Sequence, residues 1–397
     1  MKNNLSVSLK KTKKTVGKRK ICVVVHSRAN YGRIKSVLKS IQAHPDLELQ
    51  LVVGASAILY RFGNVIDIIR KDGFEPNATV YIVIEGENPT TMAKSTGLGI
   101  IELATIFENL KPDIVLTVAD RYETLATAVA SSYMNIPLAH TQGGEVTGSI
   151  DESVRHAITK LAHIHFPTTA LSRQRLIKMG EDPKSIYQVG CPAMDILTTV
   201  NLKEISRLTR YGGTGCRIDF SKPYMVVLQH PVTTEYGQGF DQIQATLSAV
   251  EQVGMQTVWL WPNVDAGSDD ISKGLRIYRE QHGNKQIHFY RNFSVEDYAI
   301  LINNCACLIG NSSSAIREGA FLGVPSVNIG TRQAGRERGR NILDVGYNAG
   351  EIAQAIKKQL KHGKYLKDAL YGDGKAGKKI VDILAKCPLS IQKKMMY

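Results

Sequence analysis

Past residue 20 the chain alternates short apolar runs with amphipathic stretches. Residues 21–25 read as a strand, residues 34–41 as a helix, and residues 49–53 and 80–84 as two further strands. A helix over 99–110, a strand over 113–118 and a helix over 124–134 complete the first series, the last ending ahead of Ile136-Pro137. The runs are short, rich in β-branched residues and separated by helices, which is the pattern of a parallel sheet covered on both faces. After the loop Gly212-Gly213-Thr214-Gly215 the rhythm starts again. Strands are expected over 224–228, 257–261, 287–290, 306–309 and 326–329, and a helix over 376–386.

Two such series in one chain imply an α/β protein of two Rossmann-like, doubly wound domains with a cleft between their strand C-termini. The expected division is a flexible basic tail at 1–20, a first domain at 21–193, a second at 194–375, and a terminal segment at 376–397 whose helix packs back on the first domain. A length of 397 residues suits this.

Charge changes the picture only at the N-terminus. Eight of the fourteen net positive charges lie in residues 1–20, so the folded body is mildly basic. That balance fits an anionic small substrate, and the tail by itself reads as a solvated extension. With no nucleic-acid reading motif beside the tail, no nucleic-acid partner is expected. No apolar run approaches the roughly 20 residues that span a bilayer, and no secretory signal heads the chain, so no membrane partner is expected either. The six cysteines (22, 191, 216, 305, 307 and 387) form no CxxC pair, and Cys22, Cys305 and Cys307 sit in apolar runs. They read as buried small hydrophobes in a reducing, cytoplasmic setting.

The first strand runs into "HSRANYGR", which lacks GxGxxG, so a tightly held NAD is disfavoured. "GNSSSAIREGA" (310–320) is a strand-to-helix turn with Asn311 or Ser312 as N-cap, a natural seat for a phosphate. Glu318, more than a turn further on, can accept hydrogen bonds from ribose hydroxyls. The plainer reading is a serine cap beside an exposed glutamate. "NIGTRQAGRERGRN" (328–341) puts Arg332, Arg336, Arg338 and Arg340 on a Gly-rich loop, which suits a phosphate clamp or a solvated charged loop. Asp120 and Arg121 close the strand 113–118. "HTQGGEVTGSIDESVRHA" (140–157) carries Glu145, Asp151, Glu152 and Arg155, with glycines that let backbone approach a ligand. Carboxylates converging on one cleft wall suit proton transfer at carbon or stabilisation of a cationic sugar, although Asp151 also suits a helix N-cap. His230 ends the strand 224–228 facing the expected cleft, where a histidine can hold a diphosphate or shuttle a proton as a catalytic residue. The histidines 140, 156, 163 and 165 match no HExxH spacing, and no metal is expected.

At these motifs the chain resembles the UDP-N-acetylglucosamine 2-epimerases, in particular the hydrolysing branch that begins sialic-acid and related nonulosonate synthesis. The resemblance covers about residues 20–380 through "HSRANYG", "ADRYE", "HTQGGEVTGSIDESVRHAITKLAH", "LQHPVTTE", "WPNVDAGS", "GNSSSAIREGAFLGVP" and "GTRQAGRE". It implies a glycosyltransferase-B arrangement with the nucleotide held mainly by the second domain. It implies further that Arg28 and Arg121 contact the ligand, that His230 and Asn263 hold diphosphate and nucleotide, and that Ser312, Ser313, Glu318 and Arg332 grip phosphate and ribose. Asp120 and Asp151 match the acid/base carboxylates, and the implied chemistry, elimination of UDP and hydration with C2 inversion, needs no metal or redox cofactor. Relatives are often dimers or tetramers, so a homo-oligomer is expected.

Three positions depart from the family pattern. Asn30 stands in "RAN" for the usual "RAD", Ala119 in "ADR" for "GDR", and Gln142 falls where a third carboxylate is usual. An amide cannot serve as a base at neutral pH, so either Glu145, three residues on, or another group takes its place, or the substrate differs, or activity is reduced. The departures keep open a UDP-diacetamido sugar, UDP-N,N'-diacetylbacillosamine, as substrate instead of UDP-N-acetylglucosamine. They also leave a glycosyltransferase or a nucleotide-sugar sensor as other classes.

Overall fold

The structure, a computed structural model, describes residues 17–86, 88–262, 265–282 and 286–396. Residues 1–16 of the basic tail, and the expected ligand contact Asn263, lie outside the described residues.

Two parallel sheets form. The first holds β1 (Arg19–Val25), β2 (Leu47–Gly54), β3 (Ala78–Val80), β4 (Ile114–Val118), β5 (Leu138–Thr141) and β6 (Ile164–Phe166) in the order β3-β2-β1-β4-β5-β6. The second holds β7 (Thr214–Gly215), β8 (Met225–Leu228), β9 (Thr257–Leu260), β10 (Ile287–Tyr290), β11 (Cys307–Gly310), β12 (Ser326–Ile329) and β13 (Ile342–Val345), ordered β13-β12-β11-β8-β9-β10-β7. Apart from the short antiparallel edge strand β7, both follow the same doubly wound plan, in which the chain reverses direction across the sheet beside its first strand. Central strands such as β4 and β8 are buried throughout, because helices cover both faces.

Sequence and structure differ at the sheet edges and at helix starts. Of the expected strand over 80–84 only Val80 pairs with β2, as the last residue of β3, and Tyr81 beyond it is 71% exposed. The edge strand β13 was not anticipated, being half-buried and mixed in polarity. The helix Pro89–Leu110 begins ten residues ahead of the expected start. Asn88 and Thr91 form a reciprocal capping box around Pro89, a start signal stronger than the polar run that follows it.

The terminal helix Ala376–Lys386 buries Ile380, Val381 and Leu384 in the core built on β1 and the helix Arg28–Ala43. Its first turn is held by the Asp195 carboxylate, which accepts from the Ala376 and Gly377 amides at 2.9 and 2.6 Å. Chain segments pass close together at Gly190 and Gly372, where a Cβ on Gly190 would stand 2.9 Å from the Gly372 Cα.

Leu384 is fully buried among first-sheet residues far away in sequence. Leu384→Ala is therefore expected to cost about 2–5 kcal/mol of stability in urea unfolding. A loss under about 0.5 kcal/mol would remove the helix from that core.

Candidate functional site

Each sheet has a point where its winding reverses, and helix N-termini and loops from the strand ends face outward there. In the first sheet this point lies between β1 and β4, which deliver Ser27 and Arg28, and Asp120 and Arg121. In the second it lies between β8 and β11, which deliver His230, and Ser312 and Ser313. The two points face each other. All of these side chains line one cleft, together with Asn30, Arg33, Thr147, Asp151, Tyr298, Glu318, Arg332 and Arg336.

On the first wall the chain is bent sharply at two adjacent strand ends. Ala119, after β4, has φ +69°, and Gln142, after β5, has φ +64°. Left-handed backbone at a residue carrying a Cβ costs roughly 1 kcal/mol, and here the turn after Ala119 presents Asp120 to the cleft. The His140 ring bonds the Ala119 carbonyl at 2.7 Å and braces the bend. The helix Asp151–Leu161 starts at the cleft with Asp151 inside its first turn, not as its cap, and Ile150 precedes it without a side-chain cap. One turn on, the fully buried Arg155 pairs with Asp120 and donates to the Glu145 carbonyl at 2.8 Å.

The second wall is built from short pieces. Ser312 caps a four-residue helix, Ser313–Ile316, accepting from the Ser314 amide, and the helix breaks at Arg317. Glu318 thus opens a second short helix, Glu318–Leu322, instead of lying inside a continuous one. Its Oε2 is buried with no hydrogen-bond partner, and burial raises its proton affinity. An acceptor left unsatisfied in a cleft is costly unless a ligand hydroxyl reaches it. His230 is fixed through its backbone, its amide donating to Asn311 at 2.7 Å while the Asn311 amide donates back to its carbonyl at 2.8 Å. Burial, then Arg332, Arg28, Arg121 and Arg33, press its imidazole well below its usual pKa, so it is neutral.

Charge links the walls. Arg33 donates to Ser313 at 2.6 Å and to the Gln142 amide oxygen at 3.3 Å. Arg28 reaches the Arg291 carbonyl and Asn292 at 3.2 and 3.0 Å. Arg121 bonds Glu123 at 3.1 Å and Asp265, from the far wall, at 2.8 Å. Arg332 stands 3.9 Å from Asp151 and 3.8 Å from Asp265. The loop bearing Arg332 docks on the acidic loop at Gly148, whose amide donates to the Arg332 carbonyl at 3.1 Å. A Cβ on Gly148 would stand 2.0 Å from the Thr331 oxygen, so the glycine serves this contact.

Asp120 and Asp151 are driven apart. Burial alone would raise Asp120, but Arg155, Arg33 and Arg336 overcome it and hold the carboxyl ionised, well below the usual range. Asp151 is pushed up to about 7 by burial, then by Asp120 and Asp265, against Arg332 and Arg121. The two neighbouring carboxylates thus differ in proton affinity because of the charges around each.

Glu145 is drawn elsewhere. It lies behind the cleft lining, 2% exposed, with Arg317 at 2.5 Å, Arg336 at 3.6 Å and the Thr168 hydroxyl at 2.7 Å. These partners hold it ionised although burial opposes that. Gln142 is fully buried below Arg33. The cleft therefore gathers Arg28, Asp120, Arg121, Asp151, His230, Ser312, Ser313, Glu318 and Arg332, and leaves Glu145 and Gln142 to hold arginines. Sequence reading passed over Arg33, Arg317, Asp265 and Tyr298. Arg33 resembles any basic helix residue, and Asp265 had only its place in "WPNVDAGS" to mark it. Among the described residues no three His, Cys, Asp or Glu side chains form a metal site, and no helix is long and apolar enough to cross a membrane.

A family model described as UDP-N-acetylglucosamine 2-epimerase matches residues 39–385. The UDP-N,N'-diacetylbacillosamine 2-epimerase (hydrolyzing) of Legionella pneumophila is 33% identical over 375 residues, covering 94% of this chain and 97% of that protein. The UDP-N-acetylglucosamine 2-epimerase of Neisseria meningitidis is 30% identical over 356 residues, covering 90% and 91%. The crystal structure of Methanocaldococcus jannaschii UDP-GlcNAc 2-epimerase in complex with UDP-GlcNAc and UDP superposes with a TM-score of 0.76 over 92% of this chain and 99% of that one. Its sequence identity is 16%, so the likeness is one of fold.

The Glu145–Arg317 pair joins the walls beneath the cleft. Arg317→Met removes the shortest ion pair of a buried carboxylate, leaving it Arg336 and the Thr168 hydroxyl, and is expected to cost about 2–3 kcal/mol in urea unfolding. Adding Glu145→Gln should restore a large part of that loss, and strictly additive effects would show that the two side chains do not interact.

Proposed function

The chain belongs to the UDP-N-acetylglucosamine 2-epimerase family, and on that footing we propose that it converts UDP-N-acetylglucosamine and water to N-acetylmannosamine and UDP. The observation that carries the reading is the placing of Asp120 and Asp151 on one cleft wall, paired with Arg155 and near Arg332, across from the serine turn and the unsatisfied Glu318.

The C2 proton of a 2-acetamido sugar has no neighbouring carbonyl to acidify it, so it becomes removable only as the C1–oxygen bond to the diphosphate weakens. Arg28, Arg121, Arg332 and the serine turn at 312–314 receive the departing diphosphate, and Glu318 takes the ribose hydroxyls. Asp120, kept charged by Arg155, stabilises positive character at C1. Asp151, with a proton affinity near neutrality, accepts the C2 proton while that bond's electron pair forms the C1–C2 double bond and UDP leaves. Water then adds to C1 and a solvent proton to the opposite face of C2, which inverts that carbon. Neutral His230 donates to the diphosphate. Gln142 keeps Arg33 in place, and Glu145 serves as the anchor of Arg317 and Arg336 instead of as the base.

A second substrate, UDP-N,N'-diacetylbacillosamine, is favoured by the 33% identity to the Legionella pneumophila enzyme that carries that name. The two readings share the nucleotide grip and the carboxylates, and differ in the groups that meet sugar C4 and C6.

Purified protein in deuterated water with UDP-N-acetylglucosamine is expected to yield UDP and N-acetylmannosamine carrying deuterium at C2. Product from the diacetamido substrate alone would establish the second reading, and an intact substrate in both reactions would remove the proposal. Because Asp151 acts as base in its ionised form, kcat/KM should rise with pH through about 7. Asp151→Asn should lower kcat by about 100-fold or more while UDP still binds.

A further inference from the structure

Asp265 lies on the loop after β9, in the second domain, yet it is bound to the first. Its Oδ1 meets Arg121 at 2.8 Å and its Oδ2 lies 3.8 Å from Arg332, which in turn lies 3.9 Å from Asp151. Only 6% of Asp265 is exposed. Its carboxylate thus sits between two of the cleft guanidiniums, a position in which an anionic ligand must compete with it. Arg121 keeps a second partner, the fully buried Glu123, so releasing Asp265 would not leave the guanidinium unpaired.

We propose that Asp265 is the internal counter-ion that the substrate's diphosphate displaces, so that Arg121 and Arg332 pass from carboxylates to phosphates when the ligand binds. The inference rests on the functional reading above and deepens it. The exchange couples binding to the chemistry. Asp151 faces Asp120 and Arg121 from the end of β4, Asp265 from the second domain, and Arg332 from the loop after β12, with Arg155 and Glu152 on its own helix. Arg332 is the nearest cation to it among these. When phosphates engage Arg332 and add negative charge, the proton affinity of Asp151 must rise. The base therefore strengthens only when the leaving group is seated, and its protonated form is favoured in the complex with UDP. A residue that only held the fold would not link diphosphate binding to a proton.

The test uses the full chain and UDP as probe, by titration calorimetry at pH 7.5 in buffers of different ionisation enthalpy. The wild type is expected to take up about half a proton more per UDP bound than Asp151→Asn. Taking the difference cancels protons exchanged by UDP itself and by His230. Asp265→Asn is expected to bind UDP about tenfold more tightly, because no carboxylate has to be displaced, and to show a smaller proton difference. Equal proton counts in wild type and Asp151→Asn, or weaker UDP binding by Asp265→Asn, would overturn the exchange and leave the functional reading standing. Absence of UDP binding by the wild type would remove both. Should Asp265→Asn fail to fold, Asp265→Ser takes its place in the same UDP titration, with tighter binding expected and weaker binding overturning the exchange.

Discussion

Holding many guanidinium groups in one half-dry cleft is the constraint on which the rest of this molecule depends. Arg33, Arg121, Arg155, Arg317, Arg332 and Arg336 repel one another, and desolvation adds to the cost. Carboxylates from both walls make the cluster tolerable. Asp120 takes Arg155, Glu145 takes Arg317 and stands near Arg336, and Asp265 takes Arg121 across the gap. Many of these pairs join elements far apart in sequence, so the charge that prepares the cleft for an anion also binds the two domains together. Lys35 does the same at the margin, meeting Asp72 at 2.6 Å and Glu296 at 2.5 Å.

The doubled sheet plan gives that cluster its geometry. Parallel strands end on one edge, and at the reversal point two loops diverge and leave a crevice. Setting two such edges face to face makes one cleft of two half-sites, one with acids and one with a serine turn and an arginine loop. Contact between the loops is close enough to require Gly148 and to bring Asp151 within 3.9 Å of Arg332. Burial and Asp120 raise the proton affinity of Asp151 from its own wall, and the other wall acts both ways, Asp265 adding to the rise and Arg332 opposing it.

The departures from the family pattern acquire physical meaning in this setting. Ala119 holds a left-handed turn that suits glycine better, and the strain sits where the chain must aim Asp120 into the cleft. Gln142 offers Arg33 an amide oxygen instead of a carboxylate, which leaves more of the Arg33 charge uncompensated on the cleft side. From the sequence, an amide at 142 means one carboxylate fewer, with Glu145 as a candidate to replace it. Burial and the Arg317 pair show Glu145 to be occupied with holding the walls together.

Local pattern was sufficient for the two α/β series and most of their central strands, for the serine turn, and for several residues that line the cleft, because periodicity, capping and strand-end placement are properties of short stretches of chain. The edge strand β13, the bounds of β3 and the break before Glu318 escaped it, since pairing at a sheet edge and a helix interrupted by packing depend on distant neighbours. Charge state was beyond it altogether. Whether Asp120 is ionised, Asp151 half-protonated or Glu145 locked in an ion pair depends on which guanidiniums stand within a few ångströms. Those guanidiniums arrive from residues as far off as Arg317, Arg332 and Arg336, and only the folded chain brings them near.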